Sequence, residues 1–170
     1  MTRMAIREYF RNPAAKQLIR PIASLAERAR ASHEWVVVYA NDAHRLNDVK
    51  LRVFQPHSLA GTTGAAGVDE LRLCAGDIVV GKHFSSGFTE TDLESRLRSQ
   101  DVRTLVLVGQ HTDCCVRRTA YNPFAGGYVL IVCPDATTVF RAGPARTRVG
   151  SPSTGPRIPE KLLRGTARQL

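Results

Sequence analysis

Four short stretches rich in Val, Ile and Leu punctuate the chain: Trp35 to Ala40, Asp77 to Lys82, Thr104 to Val108 and Tyr128 to Val132. The first is continuously apolar rather than alternating, the pattern of a strand buried on both faces. Helical spacing fills the intervals. Leu18, Ile22, Leu25 and Ala29 recur three or four residues apart within Pro13 to Arg30, with Arg, Lys and Glu between them. Pro21 inside that run predicts a kink or a later start. Thr91 to Gln100 and Cys115 to Phe124 read as crossover helices, with Pro123 ending the second early, before Gly126 and Gly127. Strands that alternate with helices predict an α/β fold on a parallel sheet, whose carboxyl ends share one ligand-binding edge.

The chemistry collects at those ends. Asp42 and His44 follow the first strand, inside a long loop from Asn41 to Gly67 that also carries His57, thirteen residues after His44. Long loops in compact domains are commonly functional. An Asp-x-His pair with a second His offers oxygen and nitrogen ligands suited to a divalent metal, against the plainer reading of a capping Asp and two loop histidines. Lys82 closes the second strand; a snorkelling lysine is its plain alternative. The third strand runs into Gly109-Gln-His-Thr-Asp-Cys-Cys-Val. There Thr112 or Asp113 is expected to cap a helix whose first turn holds Cys114 and Cys115. Unpaired N–H groups and the positive helix end favour a thiolate and an oxyanion at that place. Buried packing thiols are the bland reading of the same residues.

Taken together, Tyr39-Ala-Asn-Asp42-Ala-His44, Pro56-His57-Ser-Leu-Ala-Gly-Thr, Lys82-His-Phe-Ser-Ser-Gly-Phe88, Gly109-Gln-His-Thr-Asp-Cys-Cys115-Val and Gly127-Tyr128 leading to Pro134-Asp-Ala136 resemble the isochorismatase-like cysteine hydrolases, and within them the nicotinamidase-type amidases. The resemblance covers about residues 15 to 140. It implies a three-layer α/β/α sandwich on a mostly parallel, Rossmann-like sheet, and hydrolysis of a small, nicotinamide-like amide through a Cys115 thioester. It gives Lys82 the role of stabilising thiolate and developing charge. Gln110–His111 becomes the candidate cis peptide, with the N–H groups of His111 and Cys115 holding the oxyanion. Asp42, His44 and His57 become ligands of zinc, iron or manganese, while Phe54 and Phe88 become pocket walls. Cys114 falls at a variable position and reads as packing.

The same resemblance exposes a gap. Such proteins begin with an apolar strand ending in a catalytic Asp, and Met1 stands where the residue after that Asp is expected. That strand is central in the sheet, so its loss predicts a trench lined by unpaired backbone groups. Glu8 is the only acid nearby. A truncated start is expected, with impaired activity; the alternative is a catalytically dead homologue that only binds a ligand or partner.

Composition narrows this little. An apolar fraction of 43% suits a globular domain over residues 1–140. No apolar run approaches the roughly 20 residues of a membrane span, and charges stand where a signal peptide needs an apolar stretch. A cytoplasmic homo-oligomer with four free thiols is the expectation. Of the net charge of +9, residues 141–170 contribute +6, seven basic residues against Glu160. That composition predicts a basic, disordered tail, and makes nucleic acid an unpromising partner for the body.

Overall fold

The computed structural model describes residues 14–139. Expectations about the start of the chain, Glu8 and the basic tail lie outside them.

Helix α1 spans Ala15–Ala31 and buries Ala15, Leu18, Ile22 and Ala26. It runs through Pro21 rather than starting after it, because buried side chains on both sides of the proline anchor the helix. Strand β1, Val38–Asp42, and β2, Ile78–Lys82, pair in parallel. A short helix, α2, follows at Leu93–Arg98. Strand β3, Thr104–Gln110, pairs in parallel with β4, Val129–Thr138. A wide turn at Thr112–Val116 leads into α3, Arg117–Ala125.

Three expected boundaries move. β1 starts later than Trp35 and runs on through Asn41 and Asp42, so Asp42 is a strand end rather than a loop residue. β4 continues past Val132, absorbing Pro134 through a register shift opposite Leu107 to Gly109. α3 continues two residues beyond Pro123, which sits in its last turn.

Among the described residues the strands form two separate parallel pairs, β1 with β2 and β3 with β4. Neither pair bonds to the other. The printed hydrogen bonds fix which groups face the gap. Ile78 N–H donates to the Val37 carbonyl and Ala43 N–H to the Lys82 carbonyl. Successive residues of a strand point their backbone groups to opposite sides, so the odd-numbered residues of β1 serve β2. Those of Val38, Ala40 and Asp42 face away from β2. Val129 N–H likewise donates to the Arg103 carbonyl, which turns Thr104, Val106 and Val108 of β3 away from β4. Among the described residues, these two backbone rows, without strand partners, face one slot.

Packing holds the halves in place. α1 gathers Tyr39 of β1, Val108 of β3 and Cys133 and Ala136 of β4 on one face. Leu93 and Leu97 of α2 join Val38, Ile78, Val80, Leu105 and Leu130 on the other. At the end of α1, Arg30 donates to both carboxylate oxygens of Asp77, at 3.1 and 2.7 Å, and to Tyr39 Oη at 2.9 Å. This bidentate clamp ties the helix to the start of β2. The result is a three-layer α/β/α sandwich with a slot through its middle layer.

Candidate active site

The carboxyl ends of β1, β2 and β3 border one end of the slot, a cavity of about 1450 Å³ reached by Asp42, Lys50, Phe54, His57, Phe88, Lys82, Gln110, His111, Cys114 and Cys115. β1 and β2 end in register, Asp42 opposite Lys82, which sets their side chains side by side. Lys82 Nζ donates to Asp42 Oδ1; the lysine side chain is 6% exposed and the aspartate 22%. Burial, the largest single cause, disfavours both charges, but the surrounding charges and hydrogen bond together outweigh it. Asp42 is held below the usual carboxylate range by Lys82 and Lys50, and Lys82 above the usual ammonium range by Asp42 and Cys115.

Gly109, at φ 111°, takes a left-handed conformation that favours glycine, and the next peptide bond, Gln110–His111, is cis. The turn starts after His111, one residue before the expected caps, and His111 makes no side-chain capping bond. Instead the His111 carbonyl accepts from Cys114 N–H at 3.1 Å and from Val116 N–H at 3.0 Å, while Thr112 Oγ1 donates to the Thr138 carbonyl. That bond draws Thr112 toward the end of β4 and away from the helix start. Both carboxamide atoms of the Gln110 side chain are buried with no hydrogen-bond partner.

The two thiols behave as a pair, which the sequence did not reveal. Cys115 Sγ donates to Cys114 Sγ across 4.0 Å. That bond, ahead of other causes, pulls Cys114 down to about 6. The same bond, followed by burial, pushes Cys115 up against the opposing pull of Lys82. The bond couples the two thiols, so charge on one holds the proton on the other, while Lys82 favours charge at Cys115 and burial opposes it. Replacing Cys114 by Ala removes the first of these causes. The alkylation midpoint of Cys115 is expected to fall by about one pH unit or more as Lys82 takes over. Iodoacetamide rates against pH with peptide mapping check this; an unchanged midpoint would show that burial alone holds the proton.

Asp42, His44 and His57 do come together. His44 is 1% exposed, its Nε2 lies 3.7 Å from Asp42 Oδ1, and its ring stands 4.8 Å from that of His57. His57 Nδ1 lies 2.7 Å from the Gln55 carbonyl. Donation there turns Nε2 into the available lone pair, the usual support for a metal-bound imidazole. Yet Lys50, which sequence reasoning passed over, stands among them. Its Nζ lies 3.2 Å from His44 Nε2 and 3.7 Å from Asp42 Oδ1. Burial and Lys50 hold His44 below the ordinary histidine range, hence neutral. Among the described residues, no group of three His, Cys, Asp or Glu side chains has metal-binding spacing. Asp48 was missed as well. Its Oδ2 lies 3.0 Å from His83 Nδ1 and 3.4 Å from His44 Nδ1. No sequence signal marks Lys50 or Asp48, which sit in and just before a single helical turn, Val49–Arg52, inside the long loop.

Phe54 is 47% exposed and meets His57 edge-on at 6.4 Å between ring centroids. Phe88 borders the cavity but also packs on the core beside Tyr128, so it is as much a core residue as a wall.

Known proteins are similar to this chain in sequence and in fold. The Isochorismatase domain matches residues 3–148. Ureidoacrylate amidohydrolase RutB of Yersinia enterocolitica is 38% identical over 106 residues, 59% of this chain and 45% of that protein. The protein of the same name from Stutzerimonas stutzeri is 40% identical over 107 residues, 59% of this chain and 42% of its own. The match thus spans less than half the length of these curated relatives. Among solved structures, N-carbamoylsarcosine amidase from Thermoplasma acidophilum is similar with a TM-score of 0.80 and 37% identity, covering 85% of this chain and 82% of that one. Nicotinamidase PncA from Bacillus subtilis follows at a TM-score of 0.74 and 28% identity, over 83% of each chain. By its sequence and by the fold that carries its site, the chain belongs to the isochorismatase family.

Proposed function

We propose that the site hydrolyses the C–N bond of a small amide, with Cys115 as nucleophile. The observation that carries this reading is the buried Lys82–Asp42 pair set beside Cys115 at the cis Gln110–His111 peptide. A buried cation fixed by a carboxylate favours negative charge on a neighbouring sulfur and on the carbonyl oxygen it attacks. Cys115 Sγ adds to the amide carbonyl while its proton passes to Cys114, 4.0 Å away. The N–H groups of His111 and Cys115 hold the oxyanion, the proton passed to Cys114 moves to the nitrogen as the C–N bond breaks, and water then adds to the thioester, giving the acid and returning a proton to Cys115. The unpartnered Gln110 carboxamide offers one donor and one acceptor edge, suited to a carboxamide or ureido group. The names of the similar proteins, a ureidoacrylate amidohydrolase, an N-carbamoylsarcosine amidase and a nicotinamidase, fall in that class.

Incubating the 170-residue chain with nicotinamide and with N-carbamoyl amides should release ammonia, and Cys115→Ala should abolish the release. Ammonia release that survives Cys115→Ala would overturn the assignment. Ligand binding without ammonia release or a Cys115 adduct would instead support a binding protein.

A divalent metal fits the donor chemistry of Asp42, His44 and His57. When bound, it would orient the substrate by Lewis-acid contact. Here the Lys50 ammonium stands beside the same donors, marking a position that accepts positive charge and competing for it. Lys50→Ala is expected to tighten zinc binding about tenfold or more, roughly 1.4 kcal/mol. His44→Ala with His57→Ala should abolish it. Calorimetric titration reads both; equal affinity with and without Lys50 would show that the lysine does not hold the site.

A further inference from the structure

We propose that Cys114 and Cys115 form a modification site for hydroperoxides, at which oxidation closes a disulfide between the two adjacent sulfurs and withdraws the nucleophile. The bond itself stands on the geometry of the pair. Its effect on turnover rests on Cys115 as the nucleophile of the amide reaction.

The sulfurs are already in contact, Cys115 Sγ donating to Cys114 Sγ across 4.0 Å. Covalent closure needs the two side chains to rotate toward each other, with no approach of distant segments. Among the described residues no other two thiols touch: Cys74 is exposed and Cys133 half-buried, and neither meets a second sulfur. Burial, and then Asp135, also push the Cys133 thiol up, which makes it a slow nucleophile. Both Cys114 and Cys115 border the cavity of about 1450 Å³, so a small oxidant reaches them from solvent.

The charges around the pair suit the reaction. The bond between the thiols couples them, so that one sulfur is negative while the other keeps its proton. Lys82 favours the charge at Cys115, and Lys50 and Arg118 favour it at Cys114, so cations support a single thiolate on either sulfur. A thiolate with a thiol beside it is the combination that peroxide converts into a disulfide. The charged sulfur attacks one oxygen of the hydroperoxide. An S–O bond forms, the O–O bond breaks, and the departing oxygen takes up a proton from water. The second sulfur then attacks the sulfenic sulfur. The S–S bond forms, the S–O bond breaks, and hydroxide leaves as water with the proton of the second thiol. With hydrogen peroxide, two thiols and one peroxide become one disulfide and two waters, the sulfurs losing the two electrons that the peroxide gains.

Adjacent residues close a small ring through their own peptide bond, outside the usual disulfide geometry. Strained disulfides are the readily reduced kind, so thiols reverse the modification. While it lasts, neither sulfur carries a negative charge and Cys115 cannot attack a carbonyl.

Trypsin isolates the pair, because the peptide of residues 104–117 holds Cys114 and Cys115 and no other thiol. The full chain is treated with one equivalent of hydrogen peroxide, blocked with iodoacetamide in denaturant and digested. The 104–117 peptide is expected to lose two hydrogens and to take up no label, about tenfold or more faster than Cys74 or Cys133 is consumed. Dithiothreitol should restore it. Acylation of Cys115 by para-nitrophenyl acetate should fall in step with the oxidised fraction and return on reduction. Cys114→Ser and Cys115→Ser should each prevent the loss of two hydrogens, leaving the remaining sulfur as a sulfenic acid that dimedone traps. Four results overturn the proposal: a 104–117 peptide that keeps both thiols, a sulfinic acid as its first product, Cys74-linked dimers with the pair still reduced, or no dimedone adduct in either variant. A disulfide that forms while acylation continues undiminished overturns Cys115 as nucleophile and leaves the modification site standing, so the two failures are separate results.

Discussion

The 170-residue chain is expected to acylate at Cys115 with para-nitrophenyl acetate yet to turn over a primary amide slowly. An ester expels nitrophenolate without help, so attack by sulfur near Lys82 suffices. An amine leaves only when protonated. Asp42, the carboxylate nearest Lys82, is committed to that lysine and held in its charged form below the usual carboxylate range. The hydrogen-bond partner of Cys115 is another thiol, pulled down to about 6 and so holding little proton to give near neutral pH. General acid–base assistance is commonly worth about 10²–10⁴ in rate, which is the deficit expected for amides. A burst of one nitrophenolate per chain, absent in Cys115→Ala, checks the first half. Steady ammonia release from nicotinamide or a carbamoyl amide checks the second. Rapid amide turnover would mean that another acid serves, and Asp113, which borders the cavity, would be the residue to replace.

Lys82→Met is expected to cost about 3 kcal/mol of stability near neutral pH. Removing one member of a buried pair strands the other, and such losses run to about 3–5 kcal/mol. The lower figure applies because Lys50, 3.7 Å away, still faces Asp42. The pH dependence follows from the two directions. Asp42 is lowered on folding, so its contribution is complete above the unfolded carboxylate value and is lost as pH falls through the folded one. Lys82 is raised, so its contribution is complete below the unfolded ammonium value and is lost as pH rises through the folded one. The difference between wild type and variant should therefore be flat from about pH 5 to 9 and shrink at both ends. Urea unfolding at several pH values measures it. A loss under about 1 kcal/mol would show that the pair is solvated rather than buried.

The order of elements and their chemistry were legible in the sequence. Strand-like runs at Asp77 to Lys82 and Thr104 to Val108 became β2 and β3, because β-branched runs broken by Gly and Asp leave few alternatives. The motif residues from four different segments meet at one sheet edge, since parallel strands bring their carboxyl ends together.

Tertiary structure decided what depends on distance rather than order. Nothing local says that Lys50 will stand between Asp42 and His44, because the loop carrying it has no periodicity to read. Nor does a Cys-Cys pair announce that its two sulfurs will share a bond across 4.0 Å beside the buried Lys82. The helix start at Thr112 misled, since the hydroxyl found the Thr138 carbonyl, 26 residues away, rather than its own turn. Pro21 and Pro134 misled for a related reason. Local propensity disfavours both positions, but apolar burial along α1 and a register shift in β4 outweigh it. Sequence by itself determined which chemical groups exist and which edge of the sheet receives them. Folding alone set their spacing, and with it which charge, proton or cation each one holds, because electrostatic and hydrogen-bond energies change over a few ångströms that no sequence pattern records.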